Sequence, residues 1–191
     1  MAKVVFYYGS MNSSKSAQLI MTAFNFKAQG KSYIALKSAK DTRDKNITSR
    51  ALKISLPCTP IVEVEDIEKA VQDKQPDWIF VDEVQFMTEE MINTLAAIAD
   101  RGINVVCYGL LTNFQGYLFP GSKRLVECAE SIREIKNQCI YCENKAIRNM
   151  RLVNNMPIFE GPLELPGDSY DSVCRSCYEK FKRESAKKKR E

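Results

Sequence analysis

The stretch that most limits how this chain can fold lies close to its start. Lys3 to Tyr8 is an apolar and aromatic run that reads as a buried strand. Ala17, Leu19, Ile20, Ala23 and Phe24 then recur at helical spacing until Gly30 stops them. Between the two stands Gly9-Ser10-Met11-Asn12-Ser13-Ser14-Lys15-Ser16, one residue from the pattern Gly-x4-Gly-Lys-Ser/Thr. A turn that leaves a strand and opens a helix aims several backbone N–H groups at one point, and the helix dipole adds partial positive charge there. Such a turn suits phosphate: Lys15 would reach the outer phosphates and the Ser16 hydroxyl would ligate Mg2+. Ser14 stands where glycine is usual, and a serine at the mouth of a helix is a favoured cap through its side-chain oxygen. An ordinary polar strand–helix turn is the alternative.

A chain of 191 residues can bury one good core plus a small appendage, and 45% hydrophobic content is that of a globular protein. No apolar run has the length of a membrane span, and the N-terminus enters a strand without a signal-peptide pattern, so a cytoplasmic address is expected. In that compartment the seven cysteines are thiols or metal ligands rather than disulfides. With no histidine, imidazole is excluded as base or ligand. Much of the net charge of +4 sits in the tail from Lys180 to Glu191, which reads as a solvated, frayed end, with nucleic-acid contact as the minor reading.

Further along, Ser32 to Leu36 reads as a second strand, leading into the polar stretch Lys40 to Arg50. That stretch is either a solvated loop or, with two arginines, a phosphate clamp. Leu52 to Leu56 suggests a short edge strand, Ile61 to Val64 another, and Asp66 to Asp73 a helix. Trp78-Ile79-Phe80-Val81-Asp82-Glu83 is a continuous apolar run ending in two acids, the pattern of a central parallel strand delivering carboxylates at its C-terminal end. Consecutive strand residues face opposite ways, so the two acids share a site only if the chain turns there. One would then serve Mg2+ and the other a substrate proton; the alternative is two solvated carboxylates capping the next helix. Thr88 to Asp100 reads as that helix, Val105 to Leu111 as a strand, Ser122 to Ala129 as a helix and Ile132 to Lys136 as a closing strand. The loop between Thr112 and Gly121 carries Phe114, Tyr117 and Phe119, which either plug a small core or line a pocket for a flat ligand.

The last third differs. Cys139-x2-Cys142 and Cys174-x2-Cys177, about thirty residues apart, can each form a knuckle, and together they offer four thiolates to a structural Zn2+. The excursion between them holds Pro162, Pro166 and Gly167 and reads as an irregular loop pinned at its base by the metal.

Taken in order, Gly9-x-Met11-x-Ser13-x-Lys15-Ser16, Lys40-Asp41-Thr42-Arg43, Val81-Asp82-Glu83-x-Gln85-Phe86, Thr112-x-Phe114-x-Gly116-x-x-Phe119, the paired cysteines and Tyr170-x-Ser172-Val173-Cys174-Arg175 resemble the type II, zinc-containing thymidine kinases over residues 3–178. The resemblance implies an α/β phosphate-loop domain with a mainly parallel sheet over residues 1–136 and a zinc-binding lasso domain with a basic tail over 137–191. It implies phosphoryl transfer from ATP to the 5′-hydroxyl of thymidine, with deoxyuridine as a second substrate. Residues Gly9, Ser10, Met11, Asn12, Ser13, Ser14, Lys15 and Ser16 would hold the ATP phosphates, with Ser16 and Asp82 serving Mg2+ and Asp41, Arg43 and Gln85 nearby. Glu83 would be the general base. Met11, Phe86, Phe114 and Phe119 would wall the thymine pocket, closed by the lasso Leu163-Glu164-Leu165-Pro166-Gly167 and by Tyr170. A homotetramer inhibited by thymidine triphosphate is also implied. The chain departs from the family in Ser14, in Pro166-Gly167 for Gly-Gly, and in Leu111 and Asn113 for arginine and aspartate. Two other classes compete: a non-catalytic zinc-ribbon protein that binds nucleic acid through its tail, and an ATPase with another acceptor.

Overall fold

A computed structural model describes residues 2–162 and 169–188. In chain order its elements are β1 (Val4–Tyr8), α1 (Lys15–Ala28), β2 (Tyr33–Ser38), β3 (Ile47–Ser49), β4 (Ile54–Leu56), β5 (Thr59–Ile61), α2 (Val64–Lys74), β6 (Trp78–Asp82), α3 (Glu89–Asp100) and β7 (Asn104–Gly109). There follow α4 (Pro120–Cys128), β8 (Ser131–Glu134), β9 (Arg148–Val153), β10 (Met156–Ile158), β11 (Ser169–Val173) and α5 (Arg175–Lys188). Six strands form one sheet in the order β5-β2-β6-β7-β1-β8, and every pairing in it is parallel. The expected α/β architecture is therefore present.

Two buried clusters cover the two faces of this sheet. On one side Leu19, Ile20 and Ala23 of α1 pack on Ala35, Phe80, Val106 and Tyr108. On the other, Ile67 and Val71 of α2, Ile92, Leu95 and Ile98 of α3 and Leu125 of α4 pack on Phe6, Leu36, Ile79 and Val81. Each fully buried aliphatic side chain contributes roughly 1.5–3 kcal/mol, so these stripes fix where the helices lie. Strand parity then places chemistry. Phe80 faces α1, so Asp82, two residues on, faces the same way, toward the start of that helix.

Several boundaries differ from expectation. The strand expected at Ile61 to Val64 is Thr59–Ile61, and α2 already begins at Val64. The Asp66 carboxylate there accepts from the N–H groups of Val62 and Glu63 at 2.8 and 3.2 Å and draws the chain into the helix. Leu52 to Leu56 does not edge the main sheet: Ile54–Leu56 pairs antiparallel with Ile47–Ser49 as a separate hairpin, so part of the polar loop is a strand. The closing strand is Ser131–Glu134 rather than Ile132 to Lys136, in register with Val5 to Tyr8. Between the knuckles, β9 pairs with both β10 and β11 in a three-stranded antiparallel sheet, and of the irregular loop expected around Pro162, Pro166 and Gly167, residues 163–168 lie outside the described residues. The tail continues α5 as far as Lys188 instead of fraying from Lys180. Among the described residues no helix is long and apolar enough to cross a membrane.

Candidate active site

Residues 9–16 form the link from β1 to α1. Gly9 is required by space: a Cβ there would collide with the Ser13 side chain and lie 2.6 Å from the Ile135 carbonyl oxygen. Asn12 and Ser14 both take left-handed backbone angles, φ 57° and 65°. At Ser14 this corrects the capping expectation. Its side chain makes no cap hydrogen bond, and its backbone adopts the conformation that glycine enters most easily. Lys15 lies back over the loop, donating from Nζ to the carbonyl oxygens of Ser10 (2.7 Å) and Gly9 (3.3 Å) and to Ser13 Oγ (3.3 Å). Burial pulls its ammonium down to about 8, against the charges of Glu83 and Asp82.

Ser16, in the first turn of α1, donates to Asp82 Oδ2 at 3.0 Å. Burial, then the Glu83 charge, push the Asp82 carboxyl up to about 7 despite that bond. Glu83 itself sits at φ 52° and turns the chain, so the two acids serve one cleft from adjacent positions. Its Oε1 accepts from Arg43 Nη2 and its Oε2 from Gln85 Nε2, both at 2.5 Å. Gln85 is buried and held in turn by the Leu110 N–H at 3.0 Å. Arg43 also reaches Asp41 Oδ1 from Nε at 2.5 Å. Burial works against ionising Asp41, but hydrogen bonds from Arg43 and Lys37 outweigh it and hold that carboxyl below its usual value.

Lys37 is a residue that the sequence reading passes over. It is buried, pairs with Asp41 at 2.9 Å and donates to the carbonyl oxygens of Asp44 (2.6 Å) and Asn46 (3.3 Å), so it folds the Lys40 to Arg50 segment over the cleft. A lysine closing the apolar run Tyr33-Ile34-Ala35-Leu36 is the available signal.

The aromatic residues lie apart from this polar group. Met11, Lys15, Asp41, Arg43, Asp82, Glu83 and Leu110 line the cleft, whereas Phe86, Phe114, Phe119 and Tyr170 do not. Phe86 and Phe119 meet edge to face, with centroids 6.0 Å apart. Phe114 is buried, with the Arg151 guanidinium 5.3 Å over its ring and the Tyr178 hydroxyl donating to its carbonyl at 2.6 Å. Arg151 also donates to the Pro162 carbonyl oxygen at 2.7 Å, at the root of the lasso. Leu163, Glu164, Leu165, Pro166 and Gly167 lie outside the described residues.

The four knuckle cysteines bring their sulfurs within 4.8 Å of one another. Cys142 Sγ lies 3.6 Å from Cys174 Sγ and 3.7 Å from Cys177 Sγ. A tetrahedron with Zn–S near 2.3 Å has edges of about 3.8 Å, so this donor set fits Zn2+ in both chemistry and size. The Cys177 N–H donates to Cys174 Sγ at 3.4 Å and draws that thiol down, while the shared thiol contact pushes Cys177 up, so the sulfurs already interact as one set.

A family model described as thymidine kinase matches residues 2–178. The chain belongs to the thymidine kinase family. Curated thymidine kinases of Streptococcus agalactiae serotype V and Streptococcus pyogenes serotype M1 are each 35% identical over 184 residues, covering 93% of this chain and 97% of the relative. The four-cysteine group accords with the zinc-containing class of thymidine kinases. Among solved structures, a Pif1 helicase from Candida albicans overlays with a TM-score of 0.43 and 14% identity, over 71% of this chain and 36% of that one, too slight a likeness to bear on function.

The site carries a stability signature. Asp82 has its pKa raised on folding, so the stability linked to its proton is full below the unfolded value near 3.8 and is lost as pH rises through about 7. The loss is about 1.4 kcal/mol per pH unit between those values. An asparagine at this position would not titrate. Asp82→Asn is therefore expected to gain in Tm over the parent between pH 5 and pH 8, measured without added magnesium. Parallel pH profiles for the two proteins would contradict a buried carboxyl whose burial outweighs its Ser16 hydrogen bond.

Proposed function

We propose that this chain transfers the γ-phosphoryl group of ATP to the 5′-hydroxyl of thymidine, with deoxyuridine as a second substrate. The carrying observation is the Glu83 carboxylate, turned beside the Ser16–Asp82 pair at the mouth of a phosphate-type loop and held by Arg43 and Gln85. Residues 9–16 would cradle the triphosphate, and Lys15 would exchange its loop carbonyls for phosphate oxygens. Ser16 and Asp82 offer the hard oxygen donors that Mg2+ prefers; when bound it would supply neutralising charge at the phosphates. Arg43, moving from Glu83 to the transferred group, would both stabilise the developing charge and free Oε1 for the nucleoside hydroxyl. Gln85 would keep the other carboxylate oxygen in place.

Met11, Phe86, Phe114, Phe119 and Tyr170, with the lasso from Leu163 to Gly167, would form the base pocket. Zinc would hold the segment 137–191 as a unit distinct from the domain 1–136. A homotetrameric assembly and inhibition by thymidine triphosphate follow from the same family reading.

The test is to follow ADP and nucleoside monophosphate with Mg-ATP and thymidine, deoxyuridine or no acceptor. Stoichiometric ADP and thymidine monophosphate are expected, with negligible ADP when the acceptor is omitted. ADP release indifferent to thymidine would replace the kinase with an ATPase acting on another acceptor.

A further inference from the structure

The phosphate loop is held from outside as well as by its own Lys15 contacts. Met11, beside the left-handed Asn12, has its backbone satisfied by three side chains from the distant cysteine-bearing segment. Its N–H donates to Asn149 Oδ1 at 2.7 Å. Its carbonyl oxygen accepts from Asn137 Nδ2 at 3.2 Å and from the Ser172 hydroxyl. Asn137 also donates to Ser10 Oγ at 3.4 Å.

These three side chains are themselves fixed. Asn149 and Ser172 are register partners across β9 and β11, and both are buried, a costly place for polar groups without a partner. Asn149 spends its amide N–H on the Thr112 carbonyl at 3.1 Å, which leaves its oxygen for Met11. Asn137 accepts from the Gln138 N–H at 3.0 Å, which turns its amide nitrogen toward the loop. Asn137 stands two residues before Cys139, and Ser172 two residues before Cys174. The knuckles also meet directly, since the Ile140 N–H donates to the Ser172 carbonyl at 3.1 Å. Whatever clamps the four sulfurs therefore clamps the groups that hold Met11.

We propose that the four-cysteine centre sets the phosphate loop, with Asn137, Asn149 and Ser172 as positioning residues that pass the order of the zinc knuckles to the Met11 backbone. This rests on the reading of residues 9–16 as the nucleotide-phosphate site. Metal at the centre thus acts on nucleotide affinity without touching the nucleotide.

The experiment uses the full zinc-loaded chain and measures Mg-ATP binding by calorimetry together with hydrogen exchange over residues 10–14. Ser172→Ala and Asn137→Ala, with zinc content unchanged, are each expected to weaken Mg-ATP about three- to tenfold and to speed exchange in that peptide. Met150→Val trims the same small core while leaving the three hydrogen bonds, and is expected to weaken Mg-ATP much less than either alanine variant. Unchanged affinity in both alanine variants overturns the proposal. An equal loss in Met150→Val also overturns it, because general looseness would then suffice. Lys15→Met separates the underlying reading: if it binds Mg-ATP as the parent does, residues 9–16 are not the phosphate site and the proposal falls with that reading. Asn137 is only half-buried, so its variant reports even where the buried Ser172 change impairs folding.

Discussion

Glu83→Gln is expected to lower thymidine phosphorylation by a factor of about 10^2–10^4 while the protein stays folded and binds Mg-ATP within a few-fold of the parent. The magnitude is that of a lost general base. Glutamine keeps the size of the side chain and an oxygen that Arg43 can donate to, but it cannot take a proton. The rest of the local geometry has other support: Arg43 retains Asp41, and Gln85 retains the Leu110 N–H. The Ser16 hydroxyl and the Asp82 carboxylate, the oxygens proposed for Mg2+, are left in place, so Mg-ATP binding is expected to persist. Initial rates at saturating ATP and thymidine, with calorimetric Mg-ATP binding alongside, make the comparison. Activity within tenfold of the parent would remove Glu83 from proton transfer and leave it as a partner for Arg43.

The parts of this site that are legible in the sequence are those where the residue type forces the geometry. An apolar run ending in Asp82-Glu83 has to deliver its acids at a strand end, and period-two alternation fixes which face Asp82 takes. The helical stripe of α1 and the spacing of Cys139, Cys142, Cys174 and Cys177 are equally direct. What stays hidden is polar chemistry in buried places. Lys37, Asn149 and Ser172 have the side chains of a solvated surface, and only tertiary partners explain why they are inside. The same masking hides the small sheet. In β9, Asn149, Met150 and Arg151 are all buried, so the alternation that announces a strand with one wet face is absent. Ser14 invites a reading by its side chain, whereas its left-handed backbone is what the loop demands.

That small sheet frames the second large effect. Cys174→Ala is expected to abolish zinc binding and to strip hydrogen-exchange protection from β9 and β11, while β1, β6 and β7 keep theirs. The reason lies in the size of the core beneath the knuckles. Its buried members are Cys139, Met150, Val173, Cys174 and Tyr178, so two of the five belong to the four-cysteine group proposed to hold zinc. A cluster this small contributes only a few kcal/mol by burial, and small units of this kind depend on metal to fold. The six-stranded sheet has no such dependence, being covered on both faces by α1 and by α2, α3 and α4. Trp78 packs edge to face on Phe26 at 4.8 Å in the α1-side core, and its fluorescence reports whether the large core survives. Native Trp78 emission with unprotected β9 and β11 amides is the expected result. Protected amides in a zinc-free Cys174→Ala protein would instead mean that Met150, Val173 and Tyr178 fold the module unaided, leaving the metal to tune rather than to build it.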